Sequence, residues 1–145
     1  MAVTDDQVAA LRALLVDDMD LHRQLFNALD RDKARTGYPA LVTAAFGQAV
    51  ERRFAGNPEP EEIIRFVADV RARSDRLASE IDPEVAESTI LSALGRGSVQ
   101  GLDREAVTRA KLVLLTGVVA DEHLDGDKLD VLLASARKLA DQLIS

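Results

Sequence analysis

The chain has 145 residues, of which 18 are basic and 25 acidic, so its formal net charge is −7. Charged residues make up 30% and apolar residues 47%, which is typical of a globular protein, and we expect a single domain over residues 1–145. The lack of cysteine excludes disulfides and thiolate chemistry. The acidic balance argues against nucleic acid as a partner, because that interaction depends on neutralising phosphates.

Composition also predicts the fold class. Alanine and leucine supply 22 and 20 residues, whereas Phe, Tyr and Trp together supply five. Strands are enriched in β-branched and aromatic side chains, so this mixture favours helices. We therefore predict an all-α, single-domain bundle of about six helices.

The first helix is predicted to begin at Thr4, whose side chain forms a capping box with Gln7. It continues to about Ala34, since neither Gly nor Pro interrupts this segment. Residues 36–39, Thr-Gly-Tyr-Pro, predict a turn. Proline, glycine and acidic caps bound the remaining five helices, which are predicted at about 40–55, 60–80, 82–95, 103–124 and 127–145.

Helices two and five have no charged residue in their middle turns, so we expect them to be central. Each carries one interior glycine, Gly47 and Gly117. A glycine inside a helix costs about 1 kcal/mol relative to alanine, which suggests a close approach of backbones. We expect helices two and five to cross near these glycines. The alternative is that either glycine faces a bulky side chain from another element.

The apolar face of helix one contains two polar residues one turn apart, Asp18 and His22. A carboxylate on an apolar face is costly unless it is paired. Three interpretations are open. The two side chains form a buried polar pair that fixes the packing register, or they act as a general base or metal ligands. In the third interpretation, Asp17 or Asp18 caps a second helix and interrupts the face.

The predicted turn between helices five and six carries five carboxylates and one histidine within residues 121–130. It matches the first half of a calcium-binding loop, but Leu132 stands where that loop requires a bidentate Glu. Capping of helix six is therefore the main interpretation. The candidate metal ligands are Asp121, His123, Asp125 and Asp127. A zinc site formed by His22, His123 and Asp18 would need the fold to bring them together, which nothing in the sequence indicates.

No nucleophile or metalloenzyme motif is present, and we assign neither a catalytic residue nor a cofactor. Helix one, about 30 residues long, is longer than the others and carries an apolar face. We therefore expect a non-enzymatic interaction module that forms a homodimer or binds a protein partner.

Two alternatives remain open. One is a small-molecule or divalent-metal-binding regulatory domain using Asp18 and His22 or the acidic turn; the other is an enzyme with an Asp18–His22 acid/base pair. An open cavity beside His22 would favour these alternatives, and a packed face would favour protein interaction. The longest buried-type apolar run, residues 112–120, is too short for a membrane span of about twenty residues, and no signal peptide is evident, so we expect a cytoplasmic protein that does not bind membranes.

Overall fold

The computed structural model describes residues 2–144, which form eight α-helices and no strand. The all-α prediction is confirmed, whereas the predicted count of about six helices is not. None of the helices in this range is long and apolar enough to cross a membrane. The helices are α1 (Asp5–Leu15), α2 (Met19–Asn27), α3 (Arg31–Arg53), α4 (Pro60–Arg71), α5 (Asp75–Glu80), α6 (Pro83–Ala93), α7 (Arg104–Asp121) and α8 (Gly126–Ile144).

Two of the predicted helices are interrupted: the first contains α1, α2 and the first turn of α3, and the third contains α4 and α5. The predicted first helix ends at Leu15, because Asp17 adopts a left-handed backbone conformation with φ of 62°. The Asp18 carboxylate then accepts a hydrogen bond from the Leu21 amide at 3.2 Å and caps α2. In the predicted third helix, Ser74 caps α5 in the same way, accepting from the Leu77 amide at 3.0 Å. Both breaks arise from a short polar side chain that satisfies free amides at a helix start.

The turn predicted at residues 36–39 is wrong, since α3 passes through it with Pro39 in its interior. Asp30 sets the true start of α3 by accepting from the amides of Asp32 and Lys33 at 3.0 and 3.2 Å. A proline inside a helix deprives the carbonyl four residues earlier of its partner. Here that residue is Arg35, which is exposed, so water can satisfy the carbonyl.

The centre of the fold is formed by α3 and α7, the segments whose uncharged middle turns predicted a central position. They pack on each other, and α3 also packs on α1, α6 and α8. The expected crossing at their interior glycines is wrong. A Cβ at Gly47 would meet nothing within 4 Å. At Gly117 the close neighbour is the Val70 side chain of α4, as the alternative interpretation allowed.

Candidate functional site

A cavity of about 940 Å³ opens between α7, the end of α1, α2, α4 and α5. This volume lies within the range of small-molecule pockets in proteins. Most of its lining is aliphatic, and half-buried side chains from three helices supply much of that surface. They are Leu14 from α1, Leu77 from α5, and Leu112 and Val113 from α7.

One face of α7 forms the floor of the cavity. Its lining positions follow the three- and four-residue spacing of a single helical face. They are Arg109, Leu112, Val113, Thr116, Gly117, Val119 and Ala120. From the first to the last of them, the face extends about 17 Å at 1.5 Å per residue. The floor is therefore an elongated apolar strip with an arginine at one end.

The absence of a side chain at Gly117 allows α4 to pack closely against this face of α7. A Cβ at this position would lie 2.9 Å from Val70 Cγ2 and 3.6 Å from Arg73 Nη1. Any larger residue would have to displace the buried Val70 side chain. The glycine therefore leaves room for the Arg73 guanidinium to lie across the middle of the strip.

His22 forms part of the cavity wall, and its ring is oriented by the backbone. Its Nδ1 lies 2.7 Å from the carbonyl oxygen of Ala10. Because a carbonyl only accepts, Nδ1 carries the proton and, in the neutral ring, Nε2 is left as an acceptor. The ring also packs on Phe26, with 5.6 Å between ring centroids. His22 can thus accept a hydrogen bond from a ligand group through Nε2.

Asp18 is not the partner of His22. No hydrogen bond or ion pair joins these side chains within residues 2–144, and the Asp18 carboxylate instead caps α2. The interpretations as a buried polar pair and as an acid/base pair both depend on that contact. The structure supports the third interpretation, in which Asp18 begins a new helix.

The second histidine, His123, lines the same cavity as His22. No pattern in the sequence indicated that the two histidines would share a cavity. Asp18 does not line the cavity, so the ligand set of the hypothetical zinc site is not assembled. In the described part of the chain, no group of three or more His, Asp or Glu side chains is arranged to hold a metal ion.

The acidic turn is organised by backbone bonds and one ion pair. Asp121 accepts from Arg73 Nη2 at 2.7 Å, which pairs it with the segment between α4 and α5. The Asp125 carbonyl accepts from the Lys128 amide at 3.1 Å. Among the proposed metal ligands, His123 and Asp125 line the cavity, whereas Asp121 and Asp127 do not.

Three arginines line the cavity, and they differ in how far their charge is neutralised. Arg73 pairs with Asp121, and Arg76 pairs with Glu80 at 3.2 Å. Arg109 makes no ion pair or hydrogen bond with other side chains of residues 2–144. Sequence reasoning missed this group because Arg73 and Arg76 fit a solvated helix face. The small residues at 116, 117 and 120 on one face of helix five were the available signal.

Two titratable groups outside this cavity are shifted by burial. Burial raises the pKa of Tyr38 to about 12, and the Tyr38 ring packs edge-on against Phe26 with 5.3 Å between centroids. Burial also lowers the pKa of Lys111, whose Nζ donates to Thr43 Oγ1 at 3.2 Å in a separate pocket of about 390 Å³.

No family model matches this chain. No curated protein and no solved structure is similar enough to it to count as a match either.

Proposed function

We propose that the chain is a helical domain that binds a small molecule in the cavity between α1, α2, α4, α5 and α7. The observation that carries the proposal is an open, mainly aliphatic cavity of about 940 Å³ beside His22. A packed face at this histidine would have favoured a protein-interaction module instead.

The energetics of the cavity support this proposal. Aliphatic walls without partner atoms forfeit dispersion contacts, which a ligand of matching shape would restore. Burial of apolar ligand surface contributes about 25 cal/mol per Å². Polar side chains also line the cavity, and among them His22 and Arg109 are available to orient a bound molecule. Mainly aliphatic walls with polar groups that can fix a ligand's orientation are typical of ligand pockets.

A matched pair of tryptophan substitutions on α7 tests the proposal. Thr116 faces the cavity, whereas Thr108 is an exposed residue of the same helix that does not line it. N-phenyl-1-naphthylamine, a neutral apolar dye, is expected to bind the natural protein with increased fluorescence. Thr116→Trp should weaken this binding about tenfold or more by occupying the cavity, and Thr108→Trp should leave it unchanged.

Thermal unfolding of both variants checks that they are folded. The natural chain contains no tryptophan, so the two variants carry the same single added chromophore. Equal dye binding by Thr116→Trp and Thr108→Trp would place the bound dye elsewhere, and failure of the natural protein to bind any apolar dye would refute the proposal.

A second candidate function is self-association through α2. The helix has no buried residue, and its large apolar side chains Met19, Leu21 and Phe26 are 44%, 42% and 45% exposed. Met19 and Phe26 are seven residues apart and share one side of the helix, and exposed apolar groups on one face favour a protein contact. Sedimentation equilibrium should then give a mass above the 15.7 kDa of one chain. Met19→Glu should restore the monomer mass, while Gln24→Glu, on the other side of the same helix, should not.

A further inference from the structure

We propose that the ligand of this cavity is a long-chain carboxylate, whose apolar chain lies along the α7 face and whose carboxylate is bound by Arg109. This inference rests on the proposed function and specifies the class of its ligand. It follows from how charge is distributed along the cavity.

Along α7, the cavity carries an unpaired cation near one end of the helix and an unpaired acid, Asp125, beyond the other end. Arg109 projects from the first lining turn of α7. The unpaired acids of the lining, Asp17 and Asp125, lie in the segments that follow the ends of α1 and α7. Arg109 and the last residue of α7, Asp121, are about 18 Å apart along the helix axis. An elongated molecule with one anionic end is therefore attracted at Arg109 and repelled at the opposite end.

Arg109 is the cation best suited to bind the head group. The guanidinium groups of Arg73 and Arg76 each donate to a carboxylate of the protein. Arg109 has no such partner in the described chain, so all five of its N–H donors are available. A guanidinium binds a carboxylate through two parallel hydrogen bonds, a geometry that an alcohol cannot reproduce.

The surface of α7 beyond Arg109 indicates what kind of apolar chain the ligand carries. Beyond Arg109, the α7 face offers Leu112, Val113, Thr116 and Gly117 before Ala120. The Thr116 hydroxyl donates to the Leu112 carbonyl at 2.9 Å, so it presents its methyl group without an unsatisfied donor. The lining residues of α7 between Arg109 and Thr116 carry no charge, and the Arg73 guanidinium that lies near Gly117 is paired with Asp121, so this part of the strip suits an unbranched alkyl chain.

Because the protein is acidic overall, tighter binding of a carboxylate than of an alcohol would have to arise within the cavity. At a formal net charge of −7, the protein surface as a whole repels anions. A carboxylate that binds more tightly than the matching alcohol must therefore gain from local cations. Because Arg109 is exposed, that gain should decrease as salt concentration rises.

The experiment compares three ligands of equal chain length, dodecanoate, dodecanol and dodecyltrimethylammonium, below their micelle concentrations. Binding to the natural protein is measured by calorimetry and by displacement of N-phenyl-1-naphthylamine. Dodecanoate is expected to bind about tenfold more tightly than dodecanol. Arg109→Gln should remove most of this difference while leaving dodecanol binding unchanged. Arg104→Gln, which alters an exposed arginine of α7 outside the cavity, should change neither ligand.

The outcomes separate this inference from the proposed function. Equal binding of dodecanoate and dodecanol, or tighter binding of the ammonium compound, would overturn the carboxylate assignment while leaving a small-molecule site in place. A preference for dodecanoate that survives Arg109→Gln would overturn the role of Arg109. If neither the dye nor any alkyl ligand binds, the proposed function fails, and this inference fails with it.

Discussion

Replacing Gly37 by alanine tests the unexpected course of α3 through residues 36–39. Gly37 is buried in the helix, and a Cβ there would collide with Gln7 Oε1 and lie 3.1 Å from its Cδ and Nε2 atoms. The Gln7 side chain is only 1% exposed, so it has little space to move. Its Oε1 also accepts from the Thr4 amide at 3.4 Å in the capping box of α1.

The change in the free energy of unfolding caused by Gly37→Ala is the balance of opposing contributions. Alanine in a helix interior is more stable than glycine by about 0.5–1 kcal/mol. Overpacking costs about 1–3 kcal/mol, and disturbing the cap adds to this. We expect Gly37→Ala to lower the free energy of unfolding by about 1–2 kcal/mol. Gly47 lies in the same helix with nothing within 4 Å, so Gly47→Ala should raise it by about 0.5–1 kcal/mol.

Urea denaturation followed by circular dichroism measures both values, and the double variant Gln7→Ala/Gly37→Ala identifies the cause. If Gln7 causes the clash, removing its side chain should make the second substitution less harmful by about 1 kcal/mol or more. If Gly37 instead stood in a turn that needs glycine, Gln7→Ala would give no such rescue. Stabilisation by Gly37→Ala equal to that by Gly47→Ala would refute the packing argument.

Two further predictions concern α2 and the break before it. Tyr38 is the single tyrosine and tryptophan is absent, so absorbance at 295 nm should report a Tyr38 midpoint near pH 12. Phe26→Ala should move this midpoint towards 10 by exposing the ring against which Phe26 packs, while Gln24→Ala should not. The folded protein holds the Tyr38 hydroxyl proton more tightly than the unfolded chain does. The contribution of Tyr38 to the free energy of unfolding should therefore be fully present below pH 10 and be lost between pH 10 and 12. At Asp17, whose φ is 62°, Asp17→Val should be less stable than Asp17→Gly by about 1–2 kcal/mol, and equal stabilities would contradict a left-handed residue there.

The sequence predicted well those features that depend on a few neighbouring residues. The capping box at Thr4 and Gln7 is present, and Asp82 caps α6 by accepting from the Glu84 amide at 2.8 Å. Asp103 likewise caps α7, accepting from the Ala106 amide at 3.1 Å. Each cap needs only a short polar side chain at a fixed offset from the free amides, so the local pattern is sufficient to identify it.

Features that depend on the rest of the fold were not predictable in this way. Proline and glycine at residues 37–39 indicate a turn by local preference, yet α3 continues because Gly37 packs against Gln7 of α1. The break at Asp17 involves a residue other than glycine in a left-handed conformation, which sequence patterns rarely reveal. The cavity gathers side chains from five helices, so no single periodicity could have indicated it.

The break at Asp17 and the cavity are parts of one structural arrangement. Had α1 continued as a straight helix, residues 18–29 would have extended about 18 Å beyond it. Instead α2 turns back, and the His22 ring reaches the Ala10 carbonyl of α1. That contact places His22 in the wall of the cavity. Because it uses Nδ1, it leaves Nε2 as the nitrogen that can accept a hydrogen bond from a ligand. Asp18, which the sequence paired with His22, contributes by capping α2 through its carboxylate, so it helps to position the helix that carries His22 without contacting the ring.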